Sequence, residues 1–302
     1  MSTTYAIGLD LGGTNIKGLA ITETGRILVE RITPTGSTDG KNWPRNVERV
    51  LAELQARVKR PAACVGMAAP GLAAPDHRSI AYMPERLPGL EDLDWQKRFR
   101  LTTAVPVLND AHAALLGEVW RGAARGAKNV VLLTLGTGVG GAAIVDGHLL
   151  RGHIGRAGHF GHLSLNPEGA PDITGTPGSL EDAIGDSTVL ARSQGRFAST
   201  RKLVDAVRKR DKGAGEIWLR SVRALAAGLT SLINALDPET VILSGGITQA
   251  GAALFEPLAK LLDQFEWRPG GSRARIVQAR LADRAGAFGA AWRAMQANLP
   301  KL

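Results

Sequence analysis

The chain has 302 residues, 37 basic against 28 acidic, for a net charge of +9, and 44% of it is hydrophobic. That is enough for two cored domains, and no run of 18 apolar residues is present to cross a bilayer. The single cysteine, Cys64, excludes an internal disulfide and fits a reducing, cytoplasmic compartment; the short lead from Met1 into the first strand leaves no room for a signal peptide; and the basic residues are dispersed over helical stretches such as 201–210, a solvated face rather than a nucleic-acid surface.

In chain order, the first element is a strand, turn and strand over residues 7–18, Ile-Gly-Leu-Asp-Leu-Gly-Gly-Thr-Asn-Ile-Lys-Gly. Gly12 and Gly13 let backbone N–H groups approach an anion, Thr14, Asn15 and Lys17 add donors, and Asp10 at the strand end suits a hydrated magnesium ion. Such a hairpin alone is more often structural. A turn-rich stretch then leads to a helix over 43–59, a buried strand over 63–68 containing Cys64 as a core residue, and a glycine turn, Ala69-Pro70-Gly71. Residues 95–99 read as helix. A short strand over 105–108 delivers Asn109 and Asp110 to a helix over 111–120, and Asp110 also reads as an N-cap.

The second half begins as the first does. Leu132-Leu133-Thr134-Leu135-Gly136-Thr137-Gly138-Val139 repeats the opening, with Gly136 matching Gly12. Two halves that start alike predict a duplicated α/β fold whose hairpins grip one polyphosphate from both sides of a cleft. A glycine- and proline-rich loop over 152–178 follows, then an apolar helix over 222–236. A strand over 240–247 ends in Ser244-Gly245-Gly246, near the adenosine of a bound nucleotide. The last helix, over 285–297, begins with small residues that allow close packing.

These pieces, together with Gly158 to His162 and Gly178 to Glu181, occur in an order that resembles the ROK (repressor, ORF, kinase) family of sugar kinases over nearly the whole chain. The resemblance implies an actin-like, hexokinase-like (ribonuclease H-like) α/β fold with a ligand cleft between two lobes. The expected division is residues 1–112 with 286–302 as the small lobe and 113–285 as the larger one. It implies an ATP- and magnesium-dependent kinase, with Asp110 as general base and Gly71, Arg86, Asn109, His159, His162 and Glu181 around the sugar. The nucleotide falls to Asp10, Gly12, Gly13, Thr14, Lys17, Thr137, Gly138, Gly245 and Gly246. A homodimer is implied, with neither nucleic acid nor membrane as partner.

The chain also departs from the family pattern. His159 stands where a Glu is usual, Arg86 where an Asn precedes Leu-Pro-Gly, and His112 where another Asn is common. Many members hold zinc through His162's counterpart and three cysteines, whereas here Asp172, Thr174 and Ser179 occupy those places, so no structural zinc is expected. The altered sugar positions point beyond plain glucose, to another hydroxyl pattern, an amino sugar or an anionic sugar. Alternatives are a non-catalytic sugar-binding or regulatory relative, and a kinase that uses polyphosphate.

Overall fold

Strand β1 (Tyr5–Leu11) is buried along nearly its whole length, so both of its faces must be covered. In the computed structural model, which describes residues 4–36, 42–83 and 87–299, the chain forms two compact units. The first comprises Met1–Gly126, Arg151–Ala157 and Arg280–Leu302; the second comprises Ala127–Leu150 and Gly158–Ala279.

In the first unit β1 pairs antiparallel with β2 (Asn15–Thr22), which pairs with β3 (Ile27–Pro34). Helix α1 (Trp43–Val58) enters through Pro44 and stops at Lys59, whose left-handed conformation turns its N–H onto Ala56 O. Next come β4 (Cys64–Ala69), the short pair β5 (Leu72–Ala73) and β6 (Ile80–Tyr82), helix α2 (Trp95–Phe99), β7 (Val107–Asn109) and helix α3 (Asp110–Arg121). Among the described residues the main sheet runs β3-β2-β1-β4-β7, with β1, β4 and β7 parallel. Trp43 and Trp95, both fully buried with ring centroids 5.9 Å apart, anchor the core on the α1 side.

The second unit repeats this plan. Strands β8 (Val130–Leu135), β9 (Val139–Val145) and β10 (His148–Leu149) form the antiparallel part. After the loop come helices α4 (Leu180–Ile184), α5 (Val189–Arg192), α6 (Thr200–Arg208) and α7 (Lys212–Leu236), strand β11 (Thr240–Ser244), helix α8 (Ala252–Phe265) and strand β12 (Arg275–Gln278). The sheet order, β10-β9-β8-β11-β12, matches the first sheet position for position, so the repeated hairpin does mark a duplicated fold. Helix α7 begins well before residue 222, because Asp211 caps it by accepting Ala214 N at 2.9 Å.

Helix α9 (Ala285–Asn298) returns the chain to the first unit, as its small residues suggest. A Cβ on Gly8 would strike the backbone of Ala287 and Ala291, so α9 lies directly against β1. Helix α3 packs on α9 as well, and this draws residues 113–126 into the first unit, where the sequence reading had placed the division after residue 112.

Candidate active site

The parallel strands of the first unit deliver its polar residues at their carboxyl ends, where open α/β sheets bind ligands. Asp10 lies at the end of β1, Gly71 just beyond β4, and Asn109 and Asp110 at the end of β7. Asn109, not Asp110, caps α3: its Oδ1 accepts from Ala111 N at 2.9 Å and from His112 N at 3.2 Å. Its amide also donates to Gly71 O at 3.0 Å, tying two strand ends together. Asp110 is the first helical residue and is exposed, with Oδ1 accepting Ala111 N at 2.7 Å. His112 is buried beside it, with Nε2 3.1 Å from Ala157 O.

Asp10 is electrostatically tense. Burial, and then the nearby carboxylate of Asp110, push its pKa up to about 7, with Lys17 opposing and Asp283 adding to the rise. Lys17 itself pairs with Asp283 at 3.6 Å. The β1–β2 hairpin closes through Gly12 N to Asn15 O at 2.9 Å. Thr35 braces it from β3's end, donating Oγ1 to Gly12 O at 2.6 Å and its N–H to Thr14 O at 2.9 Å. Gly13 and Thr14 are left exposed at the tip.

In the second unit the β8–β9 hairpin closes through Gly136 N to Gly138 O at 2.9 Å. At Gly138 a Cβ would meet the carboxylate of Glu181, which would then have to move aside. Glu181, in the first turn of α4, uses Oε2 to accept Val139 N at 2.8 Å. A 3₁₀ turn over Phe160–His162 follows His159, packed so tightly on β9 that only glycine fits at Gly161. His162 Nδ1 lies 2.7 Å from Asp172 Oδ2, and Leu180 N donates to Leu163 O at 2.9 Å, so the segments carrying His162 and Glu181 are joined. Beyond the hairpin, Gly136, Thr137, Gly246, Asp186, Thr200 and Arg208 line a cavity of about 820 Å³. Gly245 turns β11 into it with φ 90°, its backbone close against Leu135 O.

Comparison with known proteins decides the family. The ROK family profile matches residues 6–297. The chain belongs to the ROK family. Among relatives of this ROK protein, a glucokinase of Thermotoga maritima is 33% identical, with 94% of this chain and 95% of that one covered. A ROK hexokinase from Thermus thermophilus superimposes with a TM-score of 0.86 at 28% identity, covering 97% of this chain and 98% of that one. A ROK glucokinase from Streptomyces griseus, solved with glucose and AMPPNP, gives 0.78 at 27% identity, covering 97% and 99%. The fold is therefore the actin-like, hexokinase-like one that the resemblance implies.

Of the residues singled out in the sequence, the first unit of this ROK protein gathers Asp10, Gly12, Gly13, Thr14, Lys17, Gly71, Asn109 and Asp110. The second gathers Thr137, Gly138, His159, His162, Glu181, Gly245 and Gly246. Arg86 lies outside the described residues. Sequence reasoning missed Thr35, Asp186 and the cavity face of α6. The run 201–210 read as a solvated face, yet Thr200, Arg201, Val204 and Arg208 line the cavity. The alternation of buried Leu203 and Val204 with the charges around them was the available signal. Among the described residues no cluster of three or more His, Cys, Asp or Glu is arranged for a metal ion, and no helix is long and apolar enough to cross a membrane.

Proposed function

We propose that this ROK-family sugar kinase transfers the γ-phosphate of ATP to a hydroxyl of a hexose or hexose derivative, with Asp110 as general base. The observation that carries the reading is the division of labour at the start of α3. Asn109 caps the helix through two backbone N–H groups, while Asp110 is an exposed residue at a strand end whose Oδ1 takes Ala111 N. A sugar hydroxyl is a weak nucleophile; a carboxylate within hydrogen-bond reach orients it and takes its proton, an effect of about 10²–10⁴ in rate. Phosphoryl transfer asks little else of the protein than positioning and charge neutralisation.

The remaining roles follow from the side chains. Gly12, Gly13 and Thr14 offer backbone and hydroxyl donors to phosphate oxygens, with Thr137 doing the same from the second hairpin. Asn109 keeps one amide hydrogen for substrate after bonding Gly71 O. Glu181 and His162, with His159, meet sugar hydroxyls. Asp10 feels the negative charges of Asp110 and Asp283, which outweigh the ammonium of Lys17, itself paired with Asp283 at 3.6 Å. Asp10 would hold magnesium, whose chemistry when bound is neutralisation of phosphate charge. The cavity of about 820 Å³ beside Gly136 and Gly246 has room for a nucleoside, which favours ATP over polyphosphate.

The test is magnesium-dependent ADP formation over neutral hexoses, amino sugars, N-acetylated sugars and sugar acids, with polyphosphate as a parallel donor. Turnover with ATP and at least one sugar supports the reading; turnover with polyphosphate alone, or none despite nucleotide binding, overturns it. Running Arg86→Asn with His159→Glu on the same panel tests whether these two residues set the sugar preference, and an unchanged ranking would remove them from that role. A homodimer is tested by light scattering, at twice the chain mass.

A further inference from the structure

Asp172 begins the loop that runs to Ser179, and the structure gives that residue a task. Its side chain is fully buried. Oδ1 accepts three hydrogen bonds from the loop it begins: Thr174 N at 2.8 Å, Thr174 Oγ1 at 2.8 Å and Thr176 N at 3.0 Å. The backbone closes the same loop, Asp172 N to Thr176 O at 2.9 Å and Gly175 N to Asp172 O at 2.9 Å. Burial by itself would raise the pKa of this carboxyl, but the hydrogen bonds from His162, Thr174 and Thr176 prevail and hold it well below the usual carboxylate range.

An ionised carboxylate can only accept, so the Nδ1 that faces Oδ2 at 2.7 Å must carry the hydrogen. In the neutral ring this leaves a lone pair on Nε2 as the remaining hydrogen-bonding atom of His162. Glu181 is bound in the same way, with Oε2 committed to Val139 N and Oε1 left to act. Both groups carried by the joined segments are then acceptors.

We propose that Asp172 is a positioning residue that fixes His162 in its Nδ1–H tautomer, so that Nε2 of His162 and Oε1 of Glu181 form an acceptor pair selecting a sugar with two free hydroxyls to donate. The proposal rests on the sugar-kinase reading. Sugars whose hydroxyl at either point is replaced by fluorine, an ether or an ester can no longer donate and are rejected. The same use of a buried aspartate to set a histidine tautomer underlies catalytic triads.

Asp172→Asn is the discriminating variant. Its Oδ1 still accepts from the three loop donors, while its NH₂ faces Nδ1 and forces the hydrogen to Nε2. Long-range ¹⁵N–¹H spectra of the full chain labelled at histidine, recorded at pH 8.5 with His162→Gln to assign the ring, read the tautomer directly. Nδ1–H in wild type and Nε2–H in Asp172→Asn are expected. With the best sugar of the panel, the variant should raise KM about tenfold while kcat stays within about twofold. Wild type should disfavour a monofluoro-deoxy analogue at one or two positions by about tenfold or more, and the variant should narrow that gap at one of them. An Nε2–H ring in wild type overturns the proposal, and that measurement needs no variant to fold. So does a ring unchanged by Asp172→Asn, or equal fluoro-sugar discrimination in both proteins. A chain that phosphorylates no sugar yet shows the Asp172-dependent ring overturns the kinase reading and the sugar selection, and leaves the tautomer assignment standing.

Discussion

Replacing Asp10 with asparagine should make the protein more stable and catalytically dead, and the pH dependence of the gain reveals why. Burial and the Asp110 carboxylate lift the Asp10 pKa from an ordinary 3.8 to about 7. At about 1.4 kcal/mol per factor of ten in ionisation, that rise corresponds to about 4 kcal/mol of cost for the ionised form in the fold. Because the folded value is raised, the native chain holds its proton more tightly than the unfolded one. The Asp10 contribution is therefore complete below about pH 4 and is lost as pH rises through about 7. Asp10→Asn removes the ionisation, so without magnesium the variant should melt several degrees above wild type at pH 8.5 and close to it at pH 4. Magnesium with nucleotide should stabilise wild type and leave the variant unmoved. Thermal unfolding in chelator and in magnesium at both pH values checks this. A variant less stable than wild type at pH 8.5, or a difference independent of pH, would refute the electrostatic reasoning.

Asp110→Asn should lower kcat by about 10²–10⁴ with sugar KM changed by no more than a few-fold, measured by steady-state ADP release. Gly138→Ala should displace Glu181 from Val139 N and raise the sugar KM about tenfold, while nucleotide binding measured calorimetrically stays near wild type. Glu118 is fully buried and accepts from Ala123 N at 2.6 Å, Leu281 N at 2.7 Å and Arg280 N at 3.1 Å, so Glu118→Gln should cost about 1–3 kcal/mol in denaturant unfolding. Cys64, buried and with its pKa pushed up to about 12 by burial and then Glu23, should resist alkylation at pH 8 until the chain is unfolded.

The fold was legible because duplication is written into the hairpins: Gly12 and Gly136 end equivalent strands of two sheets with the same order. Strand β12 was not, being four residues at a sheet edge with Arg275 and Gln278 exposed, too short and too polar for any periodicity. The helix over 111–120 was placed to within a residue at each end, but its cap went to Asp110, since Asn and Asp cap equally well and only the structure shows Asn109 Oδ1 on the two N–H groups. The position of Asp110 was legible, since a short apolar strand running into a helical pattern put it at the junction where the structure has it. The site was illegible where a contact spans a loop. The run from Asp172 to Ser179 read only as lacking zinc ligands, whereas in the structure Asp172 meets His162 across ten residues of loop, a contact no local pattern announces. Glu118 was hidden for a similar reason, because its partners at 280 and 281 lie far along the chain.

The most direct test of the central claim is transfer of label from γ-³²P-ATP into sugar by wild type and Asp110→Asn, at saturating magnesium and with sugar and nucleotide binding confirmed for both. The account predicts labelled sugar phosphate from wild type, and loss of transfer by about 10²-fold or more in a variant that still binds both ligands. Transfer at the wild-type rate by Asp110→Asn would contradict it.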